Sequence, residues 1–325
     1  MNATVRVEDA EMSWDDAMRK ARRLEWWTVA TQVVTVVLVA AVSGQSQAMK
    51  AAWLEDTLSL LPPLAFIVAA RRIRKHPDLD HPYGFHRSVG VGHLVAAVSL
   101  FAMGAYLAID SVMKLVTAER APIGLTVLGG HAIWAGWLMV VIMVVTSVPP
   151  IVLGRIKMRY AEPLHDKVLY ADAYMNKANW QSGLATVLGV LGIGVGWWWA
   201  DAVAAILVSV GIIHDGARNV RDAIAGLTDV RARTYDDRRV HPLVSRVEEL
   251  ALAEGWVAQA RARVRDQGHV FHTELFVIPH EGRAPSLDQL SALHRALTEL
   301  DWKLTDVAVV PVVEFPTVIR ESLPG

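Results

Sequence analysis

Six stretches of the chain are apolar over roughly the 20 residues that a helix needs to cross a bilayer: about 25 to 44, 48 to 70, 89 to 116, 126 to 153, 168 to 194 and 197 to 213. Basic residues mark one side of them. Arg19, Lys20, Arg22 and Arg23 precede the first stretch, Arg71, Arg72, Arg74 and Lys75 follow the second, Arg155, Lys157 and Arg159 follow the fourth, and Arg218 and Arg221 follow the sixth. The alternate loops carry little more than Lys50, Lys114 and Arg120, so the excess of positive charge puts both termini in the cytoplasm. From about Thr228 the period changes. "HPLVSRVEELALAEG" has helical spacing ended by Gly255, "WVAQARARVR" and "HVFHTELFVIP" alternate as strands, "SLDQLSALHRALTEL" is helical again and "TDVAVVPVVEFP" is a last strand. The pattern predicts an all-α membrane domain of six transmembrane helices over residues 25–227. A cytosolic segment (1–24) precedes it and a small cytosolic α+β domain of order αββαβ, ferredoxin-like, follows over 228–325.

Composition agrees with the pattern. The 325 residues are 53% hydrophobic and include 12 Trp, too apolar for a soluble chain of this size. A formal net charge of −1 gives no basic excess for a nucleic-acid partner, and the absence of cysteine excludes disulfides and thiolate metal sites. The N-terminus mixes acids with its bases and lacks a small-residue cleavage site, so a signal peptide is not expected. No Gly-rich phosphate loop, HExxH helix or Ser/His/Asp arrangement is present, and an enzyme is not expected.

Ionisable residues within spans are costly and point to function. Glu55 and Asp56 lie in the second stretch and Asp172 in the fifth. At 1.5 Å per residue Glu55 lies about 24 Å along a helix from Arg71, deep in the membrane. In "LYADAYMNKANWQSG" the residues Asp172, Met175, Asn176 and Asn179 fall at i, i+3, i+4 and i+7, one polar stripe, and Ser59 lies one turn from Glu55 on its own face. Two such stripes facing each other make an oxygen-rich cage with one thioether, although Asn and Ser in spans also serve as helix-packing glue. Asp56 sits about 100° round the helix from Glu55 and is the weaker candidate.

These features resemble the cation diffusion facilitator family of divalent-metal/proton antiporters: "HPYGFHR" opening the third span, "LYADAYMNKANWQSG" the fifth, "ADAVAAILVSVGI" in the sixth, and the αββαβ tail. The resemblance implies a tetrahedral transport site from the second and fifth helices, which falls here on Glu55, Ser59, Met175 and Asn179, with Asp172, Asp56 and Asn176 as further candidates. Three of those four positions lack an ionisable side chain, and Zn²⁺ would bind such a set poorly. Oxygen donors favour harder ions and the thioether softer ones, so the metal stays open within the Mn, Fe, Co, Ni and Zn class. The resemblance also implies metal binding in the cytosolic loop "RKHPDLDHPYGFHR", where Asp78 and His81 match best.

The function implied is export of a divalent cation from the cytoplasm in exchange for protons, by a homodimer in the inner (plasma) membrane whose partners are lipid, the metal ion and protons. No bound cofactor is expected. The alternative is a non-transporting structural or regulatory subunit that keeps the fold while its metal site decays. A third reading, transport of an alkali or organic cation, would call on Trp134 and Trp137.

Overall fold

The computed structural model describes residues 4–7, 10–43, 53, 56–118, 125–128, 131–281, 284–317 and 319. A short antiparallel hairpin, β1 (Thr4–Val7) and β2 (Ala10–Ser13), leads straight into the long helix α1 (Trp14–Ser43). Ser13 caps that helix, its hydroxyl accepting from the Asp16 N–H at 3.2 Å. The apolar pattern marked only residues 25 to 44, yet the helix starts eleven residues earlier because Ala17, Met18 and Ala21 form an apolar stripe that packs on Phe66, Ile67 and Leu164.

The second stretch is not one regular helix. A helical turn at Asp56–Leu58 breaks at Ser59 and Leu60 before α2 (Leu61–Arg72), whose first turn holds Pro62 and Pro63. Neither proline can donate a backbone bond to the preceding turn, and both are tolerated where a helix begins. Helix α3 (Ser88–Val116) follows as expected. The fourth stretch departs from its expected bounds: β3 (Leu125–Leu128) pairs with β4 (His131–Trp134), and α4 (Ala135–Leu164) then runs eleven residues past position 153. The alternation in "LTVL" and "HAIW" on either side of two glycines suits paired strands, and nothing in "LGRIKMRYAE" stops a helix.

Helix α4 ends at His165, which adopts a left-handed conformation with φ 49°. The next residue, Asp166, is extended and caps α5 (Lys167–Gly194) by accepting from the Leu169 N–H at 2.9 Å. Two residues therefore turn the chain between antiparallel helices. Helix α6 (Ala200–Leu227) packs closely on α3, where Gly104 and Gly216 remove the Cβ atoms that would meet Ile212 and the Phe101 backbone. Among the described residues α3, α4 and α6 are long and apolar enough to cross a membrane.

The C-terminal part follows the order read from its periodicity: α7 (Leu243–Leu252), β5 (Val257–Asp266), β6 (Phe271–Pro279), α8 (Leu287–Leu300) and β7 (Leu304–Pro311). Strand β6 is central, antiparallel to β5 and parallel to β7, with α8 forming the crossover between β6 and β7. Ser286 and Gln289 form a capping box at the start of α8. Leu243, Val247, Leu293 and Leu297 cover one sheet face, against Phe271, Leu275 and Val277.

Candidate functional site

Helix α5 carries the polar stripe, and the structure distributes its members among different neighbours. Asn179 faces the break before α2, where the Ser59 hydroxyl donates to its Oδ1 at 2.9 Å. Ser59 is 3% exposed. The two positions, 120 residues apart in sequence, are thus direct neighbours. Glu55 lies outside the described residues.

Met175 is also buried, but its surroundings are apolar: Leu100 and Met103 of α3, Ile212 of α6 and Ala178. Asn176 turns toward α4, donating from Nδ2 to the Asp172 carbonyl at 2.9 Å and lying against Gly154, where a Cβ would stand 3.1 Å away. Asp56 faces α1, where Gln32 Nε2 donates to its Oδ1 at 3.1 Å and to its backbone carbonyl at 3.0 Å.

Asp172 has a partner that the spacing of the stripe did not show. It pairs with Lys157 of α4, and the same ammonium lies 2.9 Å from Glu25 of α1. All three side chains are buried, between 0% and 1% exposed. Two carboxylates and one ammonium thus tie three helices together. The signal for them was in the sequence: Glu25 opens the first apolar stretch, and Lys157 follows an apolar run with no helix stop after it. In sequence Lys157 belongs to a basic cluster after an apolar run, and the extra turns of α4 carry it inside. Lys177, two residues past Met175, points outward to Asp215 at 3.3 Å.

The loop pair is formed. Asp78 Oδ1 accepts from the His81 N–H at 2.7 Å and lies 2.9 Å from His81 Nδ1, which holds the Asp78 carboxyl below its usual range. Both are about half exposed in a tight turn. Among the described residues no three His, Asp or Glu side chains gather closely enough to hold a metal ion. What the contact between the break before α2 and α5 offers is a hydroxyl and an amide oxygen, a neutral oxygen pair able to join a carboxylate or water round a hard cation.

Comparison with known proteins places the helical part in a family. The family model described as the cation efflux transmembrane domain matches residues 27–228. The manganese efflux system protein MneS of Bacillus subtilis is 22% identical over 216 residues, covering 66% of this chain and 70% of that protein. The magnetosome protein MamB of a Magnetospira species is 23% identical over 221 residues, covering 66% and 70%. The cation-efflux pump FieF of Shewanella oneidensis is 25% identical over 185 residues, covering 55% and 57%. The family model thus covers the helical part of the chain, and two of the three relatives are named as efflux proteins.

Proposed function

We propose that this chain, which belongs to the cation diffusion facilitator family, carries a hard divalent cation of the Mn²⁺ kind out of the cytoplasm in exchange for inward-moving protons. The observation that carries the reading is the Ser59–Asn179 contact at 2.9 Å, which brings oxygen donors of the second and fifth apolar stretches together. The Met175 side chain packs among apolar neighbours, which favours the oxygen donors of the stripe. The Mn²⁺ choice also draws on the likeness to a manganese efflux protein.

In this reading the ion enters from the cytoplasmic side and is held by Ser59 and Asn179 together with the Glu55 carboxylate. Protonation of that carboxylate weakens the site and releases the ion outside, and deprotonation restores it. Asp172 is already neutralised by Lys157 and serves to hold α1, α4 and α5 together rather than to ligate. Six spans with both termini inside, a homodimer and a place in the inner (plasma) membrane complete the proposal. The loop pair Asp78 and His81 is about half exposed and is not assigned to the transport site.

Flux into proteoliposomes with an acidic interior tests the reading, with Mn²⁺, Zn²⁺, Fe²⁺, Co²⁺, Ni²⁺ and Mg²⁺ offered outside. Proton-driven Mn²⁺ uptake that exceeds Zn²⁺ uptake and falls at least about tenfold in Asn179→Ala is expected, since each 1.4 kcal/mol of lost binding is tenfold. The competing reading, a subunit that keeps the fold without transporting, is favoured by one observation: Ser59 and Asn179 satisfy each other, as packing residues do. No uptake of any ion by folded protein would establish that reading instead.

A further inference from the structure

The α4–α5 turn, His165-Asp166-Lys167, is buried beneath the C-terminal unit. Lys167 Nζ lies 2.6 Å from Asp237 and 3.0 Å from Asp266, and His165 Nε2 lies 3.1 Å from Asp266. The β5–β6 turn approaches so closely that Gly268, at φ +111°, leaves no room for a Cβ, which would stand 2.5 Å from the His86 carbonyl. Next to it His269 is 2% exposed, its Nδ1 2.9 Å from the Leu164 carbonyl and its Nε2 3.2 Å from the Asp166 carboxylate. Both of these partners are acceptors. A neutral imidazole has one N–H, so the ring can donate to both only as an imidazolium.

The surrounding charges favour that form. Asp166 is in contact and Asp266 attracts the ring from its own unit, while His86, before α3, repels it. Lys167 is engaged by Asp237 and Asp266, and His165 serves Asp266 as a neutral donor, burial pushing its own pKa down. Trp14 closes the remaining side with its ring 5.7 Å away, edge to face. Three carboxylates, Asp166, Asp237 and Asp266, thus face one ammonium and two imidazoles.

We propose that the contact between the C-terminal unit and the α4–α5 turn is a proton-dependent latch, closed while His269 is an imidazolium and released when the ring gives up its proton. Helix α5 begins at this turn and carries Asn179 further along, so release frees the end of the helix that bears the candidate site. The sign follows from linkage. Burial alone would push His269 down, but Asp166 and the Leu164 carbonyl hold it above its ordinary value. Docking is therefore fully favoured below the free-histidine value of about 6.5 and is lost as pH rises through the raised value. Asp237, pushed up to about 6 by burial against the pull of Lys167, acts in the same sense but at lower pH, between about 3.9 and about 6.

Hydrogen exchange of the full chain in lipid nanodiscs, corrected for the chemical rate, tests this between about pH 6 and about pH 9. Protection of residues 164–171 and 264–271 is expected to fall at least about threefold relative to α7 across that range, as lost proton binding requires. In His269→Gln the two segments are expected to show no such fall. Asp166→Asn keeps a side-chain oxygen to cap α5 but removes the carboxylate, and its fall should begin at lower pH than in the parent chain. Gly268→Val, which cannot dock, should be unprotected throughout. Equal protection of the parent chain at both ends of the range overturns the latch, as does an unchanged fall in His269→Gln or in Asp166→Asn.

Discussion

Removing the ammonium of Lys157 would leave Glu25 and Asp172 facing each other with no counter-charge between them, in a place with essentially no solvent. Breaking such a buried pair costs about 3–5 kcal/mol, because the charges left behind stay desolvated. Lys157→Met should therefore lower the Tm of the detergent-solubilised protein sharply. Adding Glu25→Gln and Asp172→Asn should recover most of the loss. If Lys157→Met melts like the parent chain, the three charges are not joined. Ser59 and Asn179 obey a different rule, since a neutral hydroxyl–amide bond is worth about 1 kcal/mol net. Ser59→Ala should thus barely move the Tm, and its effect should show in flux.

The close contact of α3 with α6 depends on glycine. A Cβ on Gly216 would stand 2.6 Å from the Phe101 Cα, and neither backbone can give way without moving a helix. Gly216→Ala should lower the Tm, whereas Gly211→Ala, where nothing lies within 4 Å, should hold or raise it through better helix propensity. The reverse order of the two melting points would place the contact elsewhere. At α8 the capping box makes a smaller claim. Ser286→Ala removes an acceptor for the Gln289 N–H and should cost about 1 kcal/mol, seen as faster hydrogen exchange in the first turn of that helix alone.

At the scale of the molecule, the junction between the helical part and the C-terminal unit holds buried charged groups beside apolar contacts such as Trp302 on Trp14, so it answers to acid as well as to base. Burial pushes the Asp266 carboxyl up, but Lys167, His165 and the Gly268 N–H together hold it well below the usual carboxylate range. A depressed acid stabilises the joined state above its ordinary value of about 3.9 and loses that contribution as pH falls through the lowered one. Acidification below about pH 4 should separate the two parts before the sheet of the C-terminal unit unfolds. Circular dichroism alongside protease cleavage at the α4–α5 turn would read this, and simultaneous loss of both signals would count against it.

The sequence by itself determined most of the elements. A run of about 20 apolar residues has few solutions in a bilayer, and the two-residue and 3.6-residue periods after Thr228 placed α7, β5, β6, α8 and β7 in their observed order. The structure differs at the ends of the first and fourth stretches and at the break inside the second: "LTVL" and "HAIW" are apolar like the span they adjoin, and hydropathy does not say where "RIKMRY" stops being helix. Spacing also placed Asp172, Met175, Asn176 and Asn179 within one broad stripe, but such a stripe on a packed helix meets several neighbours, and only the arrangement of α1, α2, α3, α4 and α6 round α5 decided which residue meets which. That arrangement gave Asn179 to Ser59, Met175 to Leu100 and Met103, and Asp172 to Lys157. It also made His269 and Asp166, 103 residues apart, a buried pair. Local periodicity encodes a helix or strand along the chain, whereas a charge pair between distant segments exists only once packing has removed the water between them.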